Sequence, residues 1–283
     1  MTEMNETETN EYVIEDANEE KIAEPIKTER TKGHVLDVSS GFLAVELPAG
    51  YIYEGKAHVD ALVREMRGHE EDILASKGPI VTRLNAVIGN CLVKLGDISE
   101  SATLKKVASA LTGQDRMAVM IAIRRASLGD FYDCNVKCPE CKIVEHRTID
   151  LKDVEISAMP DRLLRDRCDE LPSGTEVKWH VINSADEDWL STVRKKKQDQ
   201  LTLGLLARVD AVGDIKLERE KKYRKALVAL KDLSTRDRVF LRSLFDKEEG
   251  KVDTDVEFEC EECGHIWTAP MDMQEGFFFP SAL

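Results

Sequence analysis

The sequence predicts an α+β fold: pseudo-duplicated units, each a helix plus a small β-hairpin, joined by a four-cysteine zinc site. Three observations predict it. Two C-x-x-C knuckles lie far apart, Cys138-Pro139-Glu140-Cys141 and Cys260-Glu261-Glu262-Cys263. Together they offer four thiolates, the ligand set of a closed tetrahedral zinc. Strand-like runs precede both knuckles, at 134–137 and 255–259. An internal echo at an offset of 122 residues carries Leu111-Thr112-Gly113-Gln114-Asp115-Arg116 onto Leu233-Ser234-Thr235-Arg236-Asp237-Arg238. The same offset carries Cys138 onto Cys260, Cys141 onto Cys263 and Asp150 onto Asp272. A single C-x-x-C also fits a redox pair or a disulfide hairpin, but two at matched spacing favour one shared structural ion.

Each half of the echo, 105–151 and 227–273, reads as capped helix, strand, knuckle, strand. Thr112 and Ser234 are N-cap residues, with Asp115 and Asp237 at the third helical position. The helices are expected over 113–126 and 235–246, with Met117, Met120 and Ile121 on the first apolar stripe and Val239, Leu241, Leu244 and Phe245 on the second. Residues 143–151 supply the first return strand, and Ile266-Trp267 begin the second. His146 and His265 are alternative ligands, but four thiolates already complete the shell. His265 fits better as a hydrogen-bond donor beside the metal.

The chain has 283 residues, 42% hydrophobic and 33% charged, with net charge -14. This acidity makes a nucleic-acid backbone an unfavourable partner. No run of about 18 apolar residues marks a membrane span. No basic-then-apolar leader opens the chain. Seven cysteines are an odd number for a disulfide framework and suit a reducing cytoplasm. Cys91 and Cys168 are expected to be buried thiols.

In chain order, residues 1–30 form an acidic flexible arm, with nine acidic residues and one Lys before Pro25. Within it, Tyr12-Val13-Ile14 is a short apolar contact for a partner. Strands are expected at 34–36 and 42–45, the second ended by Pro48-Ala49-Gly50. This segment suits a hairpin or an arm along another subunit of a homo-oligomer. Residues 57–75 carry helical periodicity through Val59, Leu62, Val63 and Met66. Residues 79–95 alternate between helix and buried segment, started by Gly78-Pro79 and stopped by Gly96-Asp97, and 101–110 is a short amphipathic piece or part of a loop. Residues 161–169 read as a short helix or turn, and 176–182 as a strand. Asn183 or Ser184 caps the next helix. Arg194-Lys195-Lys196-Lys197 lies where cations favour a helix C-terminus. Residues 203–212 pair as a strand with 215–217 across Gly213-Asp214, with a helix for part of this segment as the alternative; 220–231 is a helix. Near the C-terminus, Phe277-Phe278-Phe279 either close the core or dock into a neighbouring subunit.

No phosphate loop, dinucleotide glycine fingerprint, H-E-x-x-H site or nucleophile elbow is present. A four-thiolate shell leaves no coordination position for water, so the zinc is expected to be structural and coupled to folding. Several pieces taken in order resemble baseplate proteins of T4-type contractile-tailed phages, in particular the hub assembly group. They are the run from Leu62 to Asp72, the capped helix start at 111–116, Ile123-Arg124-Arg125-Ala126-Ser127-Leu128-Gly129-Asp130, both knuckles, and Leu171-Pro172-Ser173-Gly174 ahead of Asp186-Glu187. The resemblance starts near Tyr53 and implies a baseplate-type domain within 31–283. It also implies a non-enzymatic virion or assembly role and other baseplate or tail proteins as partners. The location it implies is the host cytoplasm during assembly, and the tail baseplate. The rival class is a zinc-ribbon nucleic-acid-binding protein.

Overall fold

The structure is a computed structural model that describes residues 28–29, 41–78, 80–193, 199–219, 222–271, 273 and 275–278. Six sequence expectations therefore lie outside the described residues: the flexible arm 1–30 apart from 28–29, the contact at Tyr12, Val13 and Ile14, the strand at 34–36, the basic run 194–197, the echo position Asp272, and Phe279.

The first described element is a two-residue strand, β1 (Thr28–Glu29). Two long antiparallel strands follow, β2 (Phe42–Tyr53) and β3 (Lys56–Arg64). The expected helix over 57–75 is thus a strand followed by a short helix, α1 (Gly68–Ala75). Val59, Leu62, Val63 and Met66 satisfy a helical period by spacing alone. Pairing with β2 on one side and β4 on the other decides the conformation, and it buries His58, Ala61 and Val63. Nor does Pro48-Ala49-Gly50 end β2. The strand runs on through a bulge between Glu46 and Tyr51, where a missing proline N–H breaks no ladder bond.

Next come α2 (Ile80–Cys91), β4 (Leu92–Leu95), α3 (Ser101–Ala110) and α4 (Gly113–Leu128). The expected cap is present: Thr112 accepts from the Asp115 backbone N–H, and Asp115 accepts from that of Thr112. Asp115 is fully buried because it does a second job, accepting the N–H groups of Ala49 at 2.8 Å and Gly50 at 3.0 Å. One carboxylate therefore starts α4 and satisfies the donors freed by the β2 bulge. Gly50 has φ +71°, and a Cβ there would lie 2.7 Å from the His58 carbonyl oxygen.

After α4, β5 (Phe131–Lys137) and β6 (Val144–Asp150) form the first knuckle hairpin, and β1 lies along β6. A short strand, β7 (Ile156–Ser157), leads into the second half. There the expected helix or turn at 161–169 is met only at its start, where Asp161 accepts the Leu163 and Leu164 N–H groups; 166–169 is strand, because β8 (Asp166–Glu170) pairs with β9 (Glu176–His180) across the Leu171-Pro172-Ser173-Gly174 turn. The helices α5 (Ser184–Val193) and α6 (Gln200–Leu206) come next, then β10 (Val209–Val212) and β11 (Ile215–Lys216). The expected hairpin across Gly213-Asp214 forms, but 203–206 belongs to α6. Leu203, Leu205 and Leu206 are all buried, so the run sits inside a core and does not show one face to water. The remaining elements are α7 (Tyr223–Lys231), α8 (Thr235–Glu248), β12 (Lys251–Val252) paired with β7, the hairpin β13 (Asp255–Glu259) and β14 (Ile266–Pro270), and α9 (Glu275–Phe278).

Two hydrophobic cores result. One joins β2–β4 and α2–α4 to Phe258, Phe277 and Phe278; the other joins Trp179, Leu190 and Leu203 to Leu230, Leu241 and Phe245. The second knuckle hairpin thus packs on the first half of the chain. Of the two roles open to the phenylalanine tail, Phe277 and Phe278 take core closure. Arg124 fixes that end, donating to the carbonyls of Phe277, Gly129 and Phe131. Burial pushes its pKa down to about 10.

Asp115→Ala is expected to lower stability by about 2–4 kcal/mol in urea unfolding, because two buried N–H groups lose their acceptor together with the cap. A loss no larger than that of an exposed cap would show that the bulge does not depend on this carboxylate.

Candidate metal centre

Each knuckle is a tight turn closed by its own backbone. The Cys138 N–H donates to Ile143 O at 2.9 Å, and the Lys142 N–H to Cys138 O at 3.1 Å. In the second, the Cys260 N–H donates to His265 O at 2.9 Å, and the Gly264 N–H to Cys260 O at 2.8 Å. Lys142 and Gly264 occupy the left-handed region, at φ +66° and +68°. This geometry aims both sulfurs of a knuckle the same way, and the two hairpins place the knuckles face to face.

All four Sγ atoms lie within 4.8 Å of one another. Contacts run between knuckles: Cys138 to Cys263 at 3.7 Å and Cys141 to Cys260 at 3.5 Å. A tetrahedron with Zn–S bonds of about 2.3 Å has edges of about 3.8 Å, close to these separations and far from a disulfide bond of about 2.05 Å. The thiols also resist sharing one another's charge. Burial opposes ionisation of Cys138, but backbone N–H groups of Cys141 and Glu140 outweigh it and bring its pKa to about 7. Cys260 receives the Cys263 N–H, which favours its thiolate. Burial and hydrogen bonding to the Cys141 and Cys263 thiols still push it up to about 12. A dication among the sulfurs removes that conflict. The donor set therefore fits a metal, and its softness and spacing suit a thiophilic ion in tetrahedral coordination.

Neither histidine joins the cluster. His146 faces Asp133 at 3.7 Å, and His265 stacks on Trp267 with ring centroids 6.1 Å apart. Of the other cysteines, Cys91 is fully buried and pushed up to about 12 by burial, as expected of an inert thiol. Cys168, expected to be buried, is exposed because β8 turns that face to solvent.

Sequence reasoning missed the clamp beside the cluster. Buried Arg147 on β6 donates to Glu145 at 2.6 Å, to Glu261 at 2.8 Å and to Glu259 O at 2.8 Å. Glu145 in turn accepts the Glu261 N–H at 3.0 Å. The network bolts the second knuckle to the first hairpin. No local pattern announces it, since Glu259 and Glu261 lie more than 110 residues from Arg147 in sequence.

A second charged group lies away from the cysteines. His180 on β9 contacts Asp186 at 3.1 Å through one nitrogen and Asp210 at 2.7 Å through the other. Asp186 is fully buried and also pairs with Arg219. The group borders a cleft of about 680 Å³ that Arg165 and Lys216 also line. With a carboxylate on each nitrogen the imidazole is a double donor and offers no lone pair for a general base. Burial opposes its charge, but Asp186 and Asp210 outweigh burial and raise its pKa to about 9.

That shift makes stability pH-dependent. The unfolded imidazole has a pKa near 6.5, so the contribution is complete below that value and disappears as pH rises through about 9. Asp210 is half-exposed, and screening there reduces the effect to about 2 kcal/mol. Unfolding midpoints of the unaltered chain are expected to fall between pH 6.5 and 9, and those of His180→Ala to stay flat. Parallel curves would contradict the ion-pair assignment.

The model of the family described as T4 bacteriophage base plate protein matches residues 70–278. No curated protein and no solved structure matches the chain significantly. The family match spans both capped helices and both knuckles, so the thiolate cluster lies wholly inside it. The α+β chain with its four-cysteine centre belongs to the T4 bacteriophage base plate protein family.

Proposed function

We propose that the protein is a structural or assembly component of the hub region of a contractile-tail baseplate, held in shape by one zinc bound to Cys138, Cys141, Cys260 and Cys263. The observation that carries this reading is the closed thiolate shell at the junction of two distant hairpins. Such a shell cross-links; it has no open position for substrate or water. Family membership supports baseplate and tail proteins as partners. The acidic arm 1–30, with Tyr12, Val13 and Ile14, and Phe279 are the contacts we assign to those partners, either a second copy or another baseplate protein. Assembly takes place in the host cytoplasm, with delivery into the tail. The rival reading, a zinc ribbon that binds nucleic acid, is disfavoured by the net charge of -14.

Elemental analysis of the purified chain is expected to give one zinc per molecule. Cys138→Ser is expected to lose that zinc and to lower the melting temperature by about 10 °C, as chelation should in the unaltered chain. Stoichiometric zinc with unchanged melting in the variant would overturn the shared ion. Affinity capture from infected cells, followed by fractionation of tails, tests the assignment to the hub. Recovery with nucleic acid in place of baseplate proteins would favour the rival.

A further inference from the structure

We infer that residues 42–150 and 166–270 are two tandem copies of one folded unit, and that the metal centre is the contact between their equivalent edges. The metal part deepens the zinc reading and rests on it; the rest stands on ladder register, turns, caps and ion pairs that involve no metal.

The ladders carry the argument. In the first copy β2 and β3 pair Ala44 with Leu62, Val45 with Ala61 and Glu46 with Asp60. In the second, β8 and β9 pair Cys168 with Lys178, Asp169 with Val177 and Glu170 with Glu176. The first strand is displaced by 124 positions and its partner by 116. The difference is an eight-residue tip, 51–58, that the first copy carries and the second lacks. The next ladder agrees: Ala61, Leu62 and Val63 meet Leu95, Lys94 and Leu92, while Val177, Lys178 and Trp179 meet Val212, Ala211 and Val209. Each ladder skips one residue at the same place, so even the bulge recurs.

The turns agree as well. Gly96-Asp97-Ile98 and Gly213-Asp214-Ile215 both open on a glycine at φ +53°. Their N–H groups donate to equivalent carbonyls, Asp60 at 2.8 Å and Glu176 at 2.7 Å. Leu-Pro-x-Gly occurs at 47–50 and 171–174. In each copy its N–H groups reach the capping aspartate of the later helix: Ala49 and Gly50 reach Asp115, and Ser173 reaches Asp237 at 3.0 Å. Between these points α1, α2, α3 and α4 answer to α5, α6, α7 and α8. Few side chains are identical. A register, a bulge and a cap repeated together over this length are what two copies of one backbone plan leave after their sequences diverge.

At the metal centre, exchanging the copies turns the Cys138–Cys263 contact into Cys260–Cys141, the reciprocity of an isologous interface. Elsewhere the contacts are one-sided. Glu187 of α5 accepts the Gly113 N–H at 2.7 Å and pairs with Arg116, and Arg147 reaches Glu261. These bonds fix the copies in one arrangement.

Equivalence also explains His180. It stands where Arg64 stands in the first copy, on the strand before a helix whose first-turn carboxylate it holds. Arg64 pairs with Glu70 at 3.0 Å, and the Arg67 N–H also reaches Glu70 at 3.0 Å. His180 pairs with Asp186 at 3.1 Å, and the Asn183 N–H reaches Asp186 at 2.8 Å. The second copy has replaced a permanent cation by a titratable one. The groups facing it are Asp186 and Arg219, Asp210 on β10, and Asp166 opposite it on β8.

Two variants of the full chain test the inference. His180→Arg restores the residue of the first copy. It is expected to fold, to melt above His180→Ala, and to lose the decline between pH 6.5 and 9. An Arg variant less stable than the Ala variant would overturn the equivalence whatever the metal content. In the second variant the segments 138–143 and 260–265 are exchanged. It is expected to bind one zinc with four sulfur ligands at the metal edge, as the unaltered chain does. Loss of zinc in the exchanged chain alone would overturn the equivalence of the knuckles and leave the zinc reading intact. Absence of zinc from both chains would overturn the metal part of the inference together with that reading.

Discussion

The structure depends on four sulfurs that cannot all ionise comfortably without a cation between them. The knuckle contacts join residues 119 and 125 positions apart. Closing such long loops costs chain entropy, though the cost grows only slowly with length. Of the two hairpins, β13–β14 is a two-stranded ribbon, marginal in water by itself, while β1 adds a third strand to β5–β6. A metal binding the folded arrangement shifts the balance in its favour. The buried Arg147 network and the packing of Phe258 beneath the second hairpin add metal-independent contacts to the same junction.

Elsewhere, buried carboxylates act as junction points. Asp115 and Asp237 each begin a helix and accept backbone donors from a Leu-Pro-x-Gly segment. Glu70 and Asp186 each begin a helix and hold a cation from the preceding strand. In all four cases one side chain satisfies groups from two elements, so removing it leaves several polar groups buried without partners. This fixes the orientation of helix against sheet more strictly than apolar packing would, which suits a part that must present a constant surface to its neighbours in an assembly.

Much of the site was legible in the sequence. The knuckles, their matched spacing and the paired Thr112/Asp115 and Ser234/Asp237 caps are local patterns with local causes. The hairpin at Gly213-Asp214 and the start of α5 at Asn183 were legible for the same reason. The sequence also carried signals that went unread: Leu-Pro-x-Gly and Gly-Asp-Ile both occur twice. They escape a search at one fixed offset because the eight-residue tip and the differing loop lengths change the spacing from segment to segment.

What the sequence determined by itself is therefore the pair of C-x-x-C turns and the helix starts, because knuckle geometry and capping act over a few residues. Tertiary structure decided the rest. Residues 56–64 became a strand only because β2 and β4 flank them, and 166–170 only because β9 lies alongside. Phe277 and Phe278 were assigned to the core by Tyr132 and Arg124, more than 140 positions away. Periodicity records which residues prefer burial; which neighbour buries them is settled by contacts that no short window contains.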